Sequence, residues 1–450
     1  MTTRTSSGLD GLFRLSERGT TTGTEVRAGV TTFMVMAYII FVNPSILSVA
    51  GYDAGAVAAG TALVAGVLTI AMGVVSNYPL AMAAGLGING AVAFGLVLGQ
   101  GLSLEGAMGV IVLEGLVVLL LVLVGFREAV MNAVPLGLKR AIGVGIGLFI
   151  LFIGFANGGL IRQPVGDGPV PVEFIFPNTA SAGITLIGLL ITIVLYVRKV
   201  PGALIISILA TTLVALLLGV QELPDTFTAT PSFSTLGQFD LGNVFSTLGF
   251  LSALLTVFSF MLTDFFDTMG TATAIAEQSG LADADGSIPG IGRVLLVDSV
   301  GAVAGGAAGV SSNTSYIESA AGVAEGGRTG LTSVVTGVLF LLAIFLSPLA
   351  GIIPPTATAP VLIMIGFLMC TLIKDIDFGD VEEGFPALLT LILMPLTFSI
   401  TVGIGAGFVN WVLIKLVRGK ANEVKPLMWV VAAGFLIYFA QNLIGETISA

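Results

Sequence analysis

Runs of about 20 apolar residues, the length at which a helix crosses the hydrocarbon core of a bilayer, recur along this chain from residue 24 to residue 445. No other feature constrains the fold as much. In lipid every backbone polar group must be bonded internally, so a chain of this kind becomes a helical bundle or a closed barrel. The runs are unbroken, whereas a barrel strand alternates apolar and polar residues, and this selects helices. Composition agrees: 55% of the 450 residues are hydrophobic and 10% are charged, against about a quarter charged in soluble domains. The expected fold class is an all-α polytopic membrane protein.

The breakers between runs place spans near 24–50, 55–76, 81–99, 105–126, 137–159, 178–198 and 200–219, and again near 246–275, 289–308, 311–325, 328–349, 355–374, 384–399 and 401–417. This gives four regions: a tail at 1–23, a first half at 24–219, a second half at 246–418 and an extra apolar helix at 425–450. The tail is polar, with Arg4, Arg14 and Arg18, and lacks the apolar core of a signal peptide. With the N-terminus inside, Arg127, Lys139, Arg140, Arg198, Lys199, Arg328, Lys374, Lys415, Arg418 and Lys420 all fall on the cytoplasmic side. That asymmetry obeys the positive-inside rule and predicts a multi-pass plasma-membrane protein with a cytoplasmic N-terminus. The terminal run at 427–445 either spans the bilayer or lies on it.

One cysteine, Cys370, and no histidine exclude disulfides and the usual zinc and haem sites. Acids between the spans, among them Asp225, Asp283, Asp285, Asp375, Asp377, Asp380, Glu382 and Glu383, read as a solvated surface. No metal, cofactor or nucleic acid is expected of a chain with net charge -10. Without a nucleophile and base pair, an enzyme is not expected either.

Two spans are interrupted. The third carries Gly85, Gly87, Asn89 and Gly90, and the tenth opens with Gly309, Ser311, Ser312, Asn313, Thr314 and Ser315. Gly85 and Asn89 match Gly309 and Asn313 at one offset of 224 residues. Seven spans per half is odd, so the second half runs inverted, the plan of many secondary transporters, with the site where spans three and ten are discontinuous.

Ionisable side chains at membrane depth are costly and begin as functional candidates. Asp264 and Asp267 stand at i and i+3 in the eighth span, with Thr268 and Thr271 at i+4 and i+7 and Phe260 one turn earlier. Such a face can bond and stack a planar heterocycle. In the tenth segment Glu318 offers an acceptor one turn inside a half-helix, and Ser315 with Glu318 also fits a capping box. Asn89 joins them across the broken spans. Glu114, Asp298 and Asn43 read as packing residues.

At these residues the chain resembles the AzgA-like purine permeases of the nucleobase-ascorbate transporter superfamily. The matching stretches are Thr263 to Thr271, Ser312 to Val323, Gly326 to Gly330 and Ala84 to Asn89. The resemblance implies fourteen spans as a 7+7 inverted repeat, with a core domain of spans one, three, eight and ten and a gate domain of spans five to seven and twelve to fourteen. It implies elevator-type transport of guanine, hypoxanthine or adenine. It places substrate binding on Asp264, Glu318 and Asn89, to which the residue reading adds Phe260, Thr268 and Ser315. Proton coupling falls on Asp267, Glu318 and Asp264, with Asp264 meeting the base and Asp267 or Glu318 taking the proton, and a proton is favoured over sodium. An anion carrier or channel on the same fold and a uracil or xanthine carrier remain as alternatives, and a homodimer stays open.

Overall fold

The computed structural model describes residues 8–125, 134–162, 164, 172–175, 179–223, 230–282 and 288–449, with side chains described to residue 440. Arg4, Arg127, Asp225, Asp283 and Asp285 lie outside them. Among the described residues nine helices are long and apolar enough to cross a membrane, from Thr22–Ala50 to Ile400–Val417. Three expected spans fall on shorter helices, Ala203–Leu217, Ile291–Ala307 and Val381–Thr397. The expectation of a purely α chain is corrected by two short strand pairs, Met82–Ala84 with Asn313–Ser315 and Ile161–Arg162 with Glu173–Phe174.

The first pair positions everything that follows. The strands run antiparallel, Ala83 opposite Thr314, and all six residues are buried. Glycines and hydroxyl and amide side chains that disfavour helix interrupt it here, and each strand satisfies the backbone of the other where no water is available. Each strand then feeds a helix, Leu86–Gly90 continuing as a wider π-helical stretch Ala91–Gly99, and Ser319–Ala324. Of the two asparagines matched in the sequence, Asn89 sits on its helix whereas Asn313 sits on its strand, opposite Ala84.

Helices pack in two groups. One joins Thr22–Met36, Ala54–Ser76, Leu104–Leu123, Phe250–Gln278, Ile291–Ala307 and Gly330–Ala343; the other joins Leu136–Asn157, Ala180–Val197, Ala203–Leu217, Pro355–Cys370, Val381–Thr397 and Ile400–Val417. The first group is drawn tight at Gly73 and Gly330, where a Cβ on Gly330 would stand 1.9 Å from the Gly73 carbonyl oxygen. Buried Glu25 fixes the same corner, accepting hydrogen bonds from the Arg328 backbone N–H at 2.9 Å, the Thr329 hydroxyl at 2.8 Å and the Thr332 hydroxyl at 2.6 Å. The Gly326 to Gly330 stretch therefore serves as an anchor between helices.

The second group is tied at its ends by charge. Glu382 accepts from Lys415 and Lys420 at 2.6 Å and from Arg418 at 2.9 Å. The bond from Lys415, followed by those from Lys420 and Arg418, holds its carboxyl well below the usual 4.5, at about 2. A carboxyl depressed by folding adds stability above its unfolded pKa and loses it as pH falls towards the folded one. The thermal midpoint of the purified protein should thus drop between pH 4.5 and about pH 2, and drop less in Glu382→Gln. Equal acid sensitivity in both proteins would remove this network from the stability of the fold.

Candidate functional site

Between the two groups lies a cavity of about 440 Å³, within the range of roughly 300 to 1,000 Å³ that holds small ligands. The first group contributes Tyr38, Gly85 to Gly87, Thr314 to Glu318 and one stripe of the Phe250–Gln278 helix; the second contributes Lys139, Ile142, Gly143 and Ile146 and, further on, Ile365, Leu368, Met369, Thr371 and Leu372. The stripe is Thr263, Phe266, Asp267, Gly270, Thr271 and Ala274. Its spacing of three and four residues is one helix face.

That face is turned from the one expected. Asp267, Glu318, Ser315 and Thr271 line the cavity, whereas Phe260, Asp264, Thr268 and Asn89 are absent from its wall. Phe260 is packed in the apolar core, and Phe266 presents the ring instead. Residues at i and i+3 differ by about 60° around a helix axis, enough to put Asp267 on the cavity and Asp264 behind it.

Glu318 is fixed by an element that sequence reading passed over. The Tyr38 hydroxyl donates to its Oε1 at 2.6 Å, and a carboxylate has further lone pairs to offer a ligand. Glu318 does not close the capping box: the short Ser319–Ala324 helix has no side-chain cap bond. Ser315 bonds elsewhere. Its backbone N–H and its hydroxyl donate to Asp298 Oδ1 at 3.0 and 2.9 Å, while Thr268 donates to Asp298 Oδ2 at 2.8 Å and shares a hydrogen bond of 2.7 Å with Thr314. Asp298 is thus the post on which the strand and the Phe250–Gln278 helix are hung. Its sole signal in the sequence was an acid inside an apolar run, the same signal that marked Asp264.

Asp264 is fully buried, its Oδ1 accepting from Ser312 at 3.3 Å and its Oδ2 without a partner. Asn89 is also fully buried, with neither amide atom bonded. Asn43 bonds Thr61 at 2.8 Å and the Val310 carbonyl at 3.0 Å, bracing the approach to the strand. Ser311 holds a φ of 72°, a left-handed conformation uncommon for a side chain larger than glycine and concentrated at functional breaks.

One cation reaches the site: Lys139, four residues into the Leu136–Asn157 helix, shares the cavity wall with Asp267 and Glu318. Its ammonium stands 5.5 Å from the centre of the Phe266 ring. The positive-inside count had read Lys139 only as a cytoplasmic flank, because it stands next to Arg140 at the head of an apolar run.

The cavity therefore offers two carboxylates, hydroxyls, an aromatic face and one ammonium within mostly apolar walls. Residues 23–406 match the Permease family, Xan_ur_permease. The chain is 40% identical to the adenine permease AdeP of Escherichia coli (strain K12), covering 97% of each chain. It is 39% identical to the guanine/hypoxanthine permease PbuG of Bacillus subtilis (strain 168), covering 95% of this chain and 98% of that one. In fold it is similar to the transmembrane domain of the cyanobacterium bicarbonate transporter BicA, with a TM-score of 0.61 at 15% identity over 86% of this chain and 97% of that one.

Proposed function

Because this chain belongs to the Permease family, we propose that it is a secondary transporter that carries purine nucleobases, with guanine, hypoxanthine and adenine as its substrates, in symport with protons. The observation that supports this most is the cavity wall itself, where Glu318, held by Tyr38, stands with Asp267 beside the Phe266 ring. A purine has ring N–H donors for the carboxylates, acceptors for hydroxyls and a flat face for the ring. Near-full-length identity to permeases named for adenine and for guanine and hypoxanthine supports the same reading.

Fourteen spans in a 7+7 inverted repeat, with spans three and ten discontinuous at the strand pair, accommodate the cavity at the interface of a core and a gate. The helix group with the strand pair is the core, and the group with Lys139 is the gate. Sliding of the core along the gate would carry the bound base across, with the N-terminus in the cytoplasm of a plasma-membrane protein. Asp264, Asp267 and Glu318 supply protonatable groups for coupling. An anion carrier is disfavoured by two acids on the cavity wall against one lysine.

Thermal stabilisation tests the substrate class, since a ligand that binds only the folded state adds about 2.7 kcal/mol at a hundred times its Kd. Adenine, guanine and hypoxanthine should raise the unfolding midpoint of the purified protein, and uracil and bicarbonate should not. Stabilisation by bicarbonate or uracil without any by a purine would overturn the assignment.

A further inference from the structure

Behind the cavity lies a second polar cluster that substrate binding leaves unused. Glu114 on the Leu104–Leu123 helix and Asp264 on the Phe250–Gln278 helix are both fully buried. Ser312 lies between them, donating to Asp264 Oδ1 at 3.3 Å and neighbouring Glu114 on the other side. Among the described residues, neither oxygen of Glu114, nor Asp264 Oδ2, nor either side-chain amide atom of the adjacent Asn313 has a hydrogen-bond partner. Such groups are costly when left unpaired, and more so when charged.

The elements packed on Glu114 carry few charges. The Phe250–Gln278 helix presents Asp264, with Asp267 beyond it and Glu277 near its far end; the Ile291–Ala307 helix presents Asp298, while its Arg293 reaches the Val75 carbonyl at 3.5 Å; the 91–99 and 241–248 stretches hold no charged residue. No ion pair among the described residues involves Glu114, Asp264 or Asp298. Dry carboxylates without a cation cannot all be ionised together. A metal ion needs several converging ligands, and no three acidic side chains among the described residues are spaced to hold one. A proton needs one oxygen and one partner.

We propose that Glu114 and Asp264, on either side of the Ser312 hydroxyl, are the seat of the coupling proton, a site separate from the substrate cavity and tied to it through Asp298. The tie is the chain of hydrogen bonds in which Asp298 holds both Thr268, one turn from Asp264, and Ser315 on the cavity wall. A proton arriving from cavity water adds to one carboxylate oxygen and later leaves to water on the other side. While bound, it removes one negative charge from the element that must move through the bilayer. The inference rests on the transport reading and adds Glu114 to it.

Two readouts test it in the full-length protein. Glu114→Gln should bind adenine within about threefold of wild type, since the sites are separate, and should equilibrate it across proteoliposomes without concentrating it under an inward proton gradient. In infrared spectra at neutral pH the wild type should show the C=O band of a buried protonated carboxylic acid, and Glu114→Gln should lose intensity there. Gradient-driven accumulation by Glu114→Gln at the wild-type level would overturn the proposal. Absence of the carboxylic-acid band from the wild type would overturn it even where Glu114→Gln fails to fold, and so would adenine stabilisation that depends on sodium and not on pH. Failure of wild-type protein to bind any purine would instead defeat the transport reading.

Discussion

Glu318→Gln is expected to weaken purine binding about tenfold to a hundredfold while leaving the protein folded. The size of the loss follows from which atom changes. Gln keeps the length of Glu and can still accept the Tyr38 hydroxyl, which reaches Oε1 at 2.6 Å. Its other terminal atom becomes an NH2, which donates where the carboxylate accepted, so a purine N–H would meet a second donor. An unpaired buried donor costs about 1 to 3 kcal/mol, and about 1.4 kcal/mol is tenfold in affinity. Tyr38→Phe removes only the bond that orients Glu318 and should cost less than Glu318→Gln. Titration of adenine by calorimetry or by thermal shift reads both. Wild-type affinity in a stable Glu318→Gln protein would take Glu318 out of the site, and with it the orientation that sets a purine N–H against its carboxylate.

The helices were legible because membrane depth admits few solutions. Apolar length, Pro and Gly breakers and Lys and Arg flanks placed the runs within a few residues of helices such as Ala54–Ser76 and Pro355–Cys370. The interruptions at Gly85 to Gly90 and Gly309 to Ser315 were also visible, since glycines and hydroxyls cannot continue an apolar helix cheaply. What could not be read was rotation. Asp264 and Asp267 both belong to one broad polar face, and only packing against the Ile291–Ala307 helix and the strand decides that Asp267 meets the cavity and Asp264 does not. Long-range partners were equally hidden. Tyr38 is 280 residues from Glu318 and Thr268 is 30 from Asp298, and no periodicity encodes such pairs.

Lys139 makes the strongest case for a partner that only the fold reveals. It comes from the second helix group and shares the cavity wall with Asp267 and Glu318 of the first. A lone ammonium or a lone carboxylate in a half-dry cleft is costly, while a facing pair or a neutral pair is tolerated, because breaking one partner leaves the other uncompensated. The ring of Phe266, 5.5 Å from the ammonium, adds about 0.5 to 1 kcal/mol at most for a partly exposed contact. Lys139→Gln and Asp267→Asn should therefore each lower adenine uptake about tenfold, a loss near 1.4 kcal/mol. Because Asp267 also serves the purine and the proton, the double variant should recover only in part, its loss staying below the product of the two single losses, since coupled residues show interaction energies of about 0.5 to 3 kcal/mol. Lys139→Arg keeps the charge and should fall between. Uptake measured in proteoliposomes for the four proteins of the cycle decides it: losses that simply multiply in the double variant would mean that the two charges act independently and do not balance each other between the two helix groups.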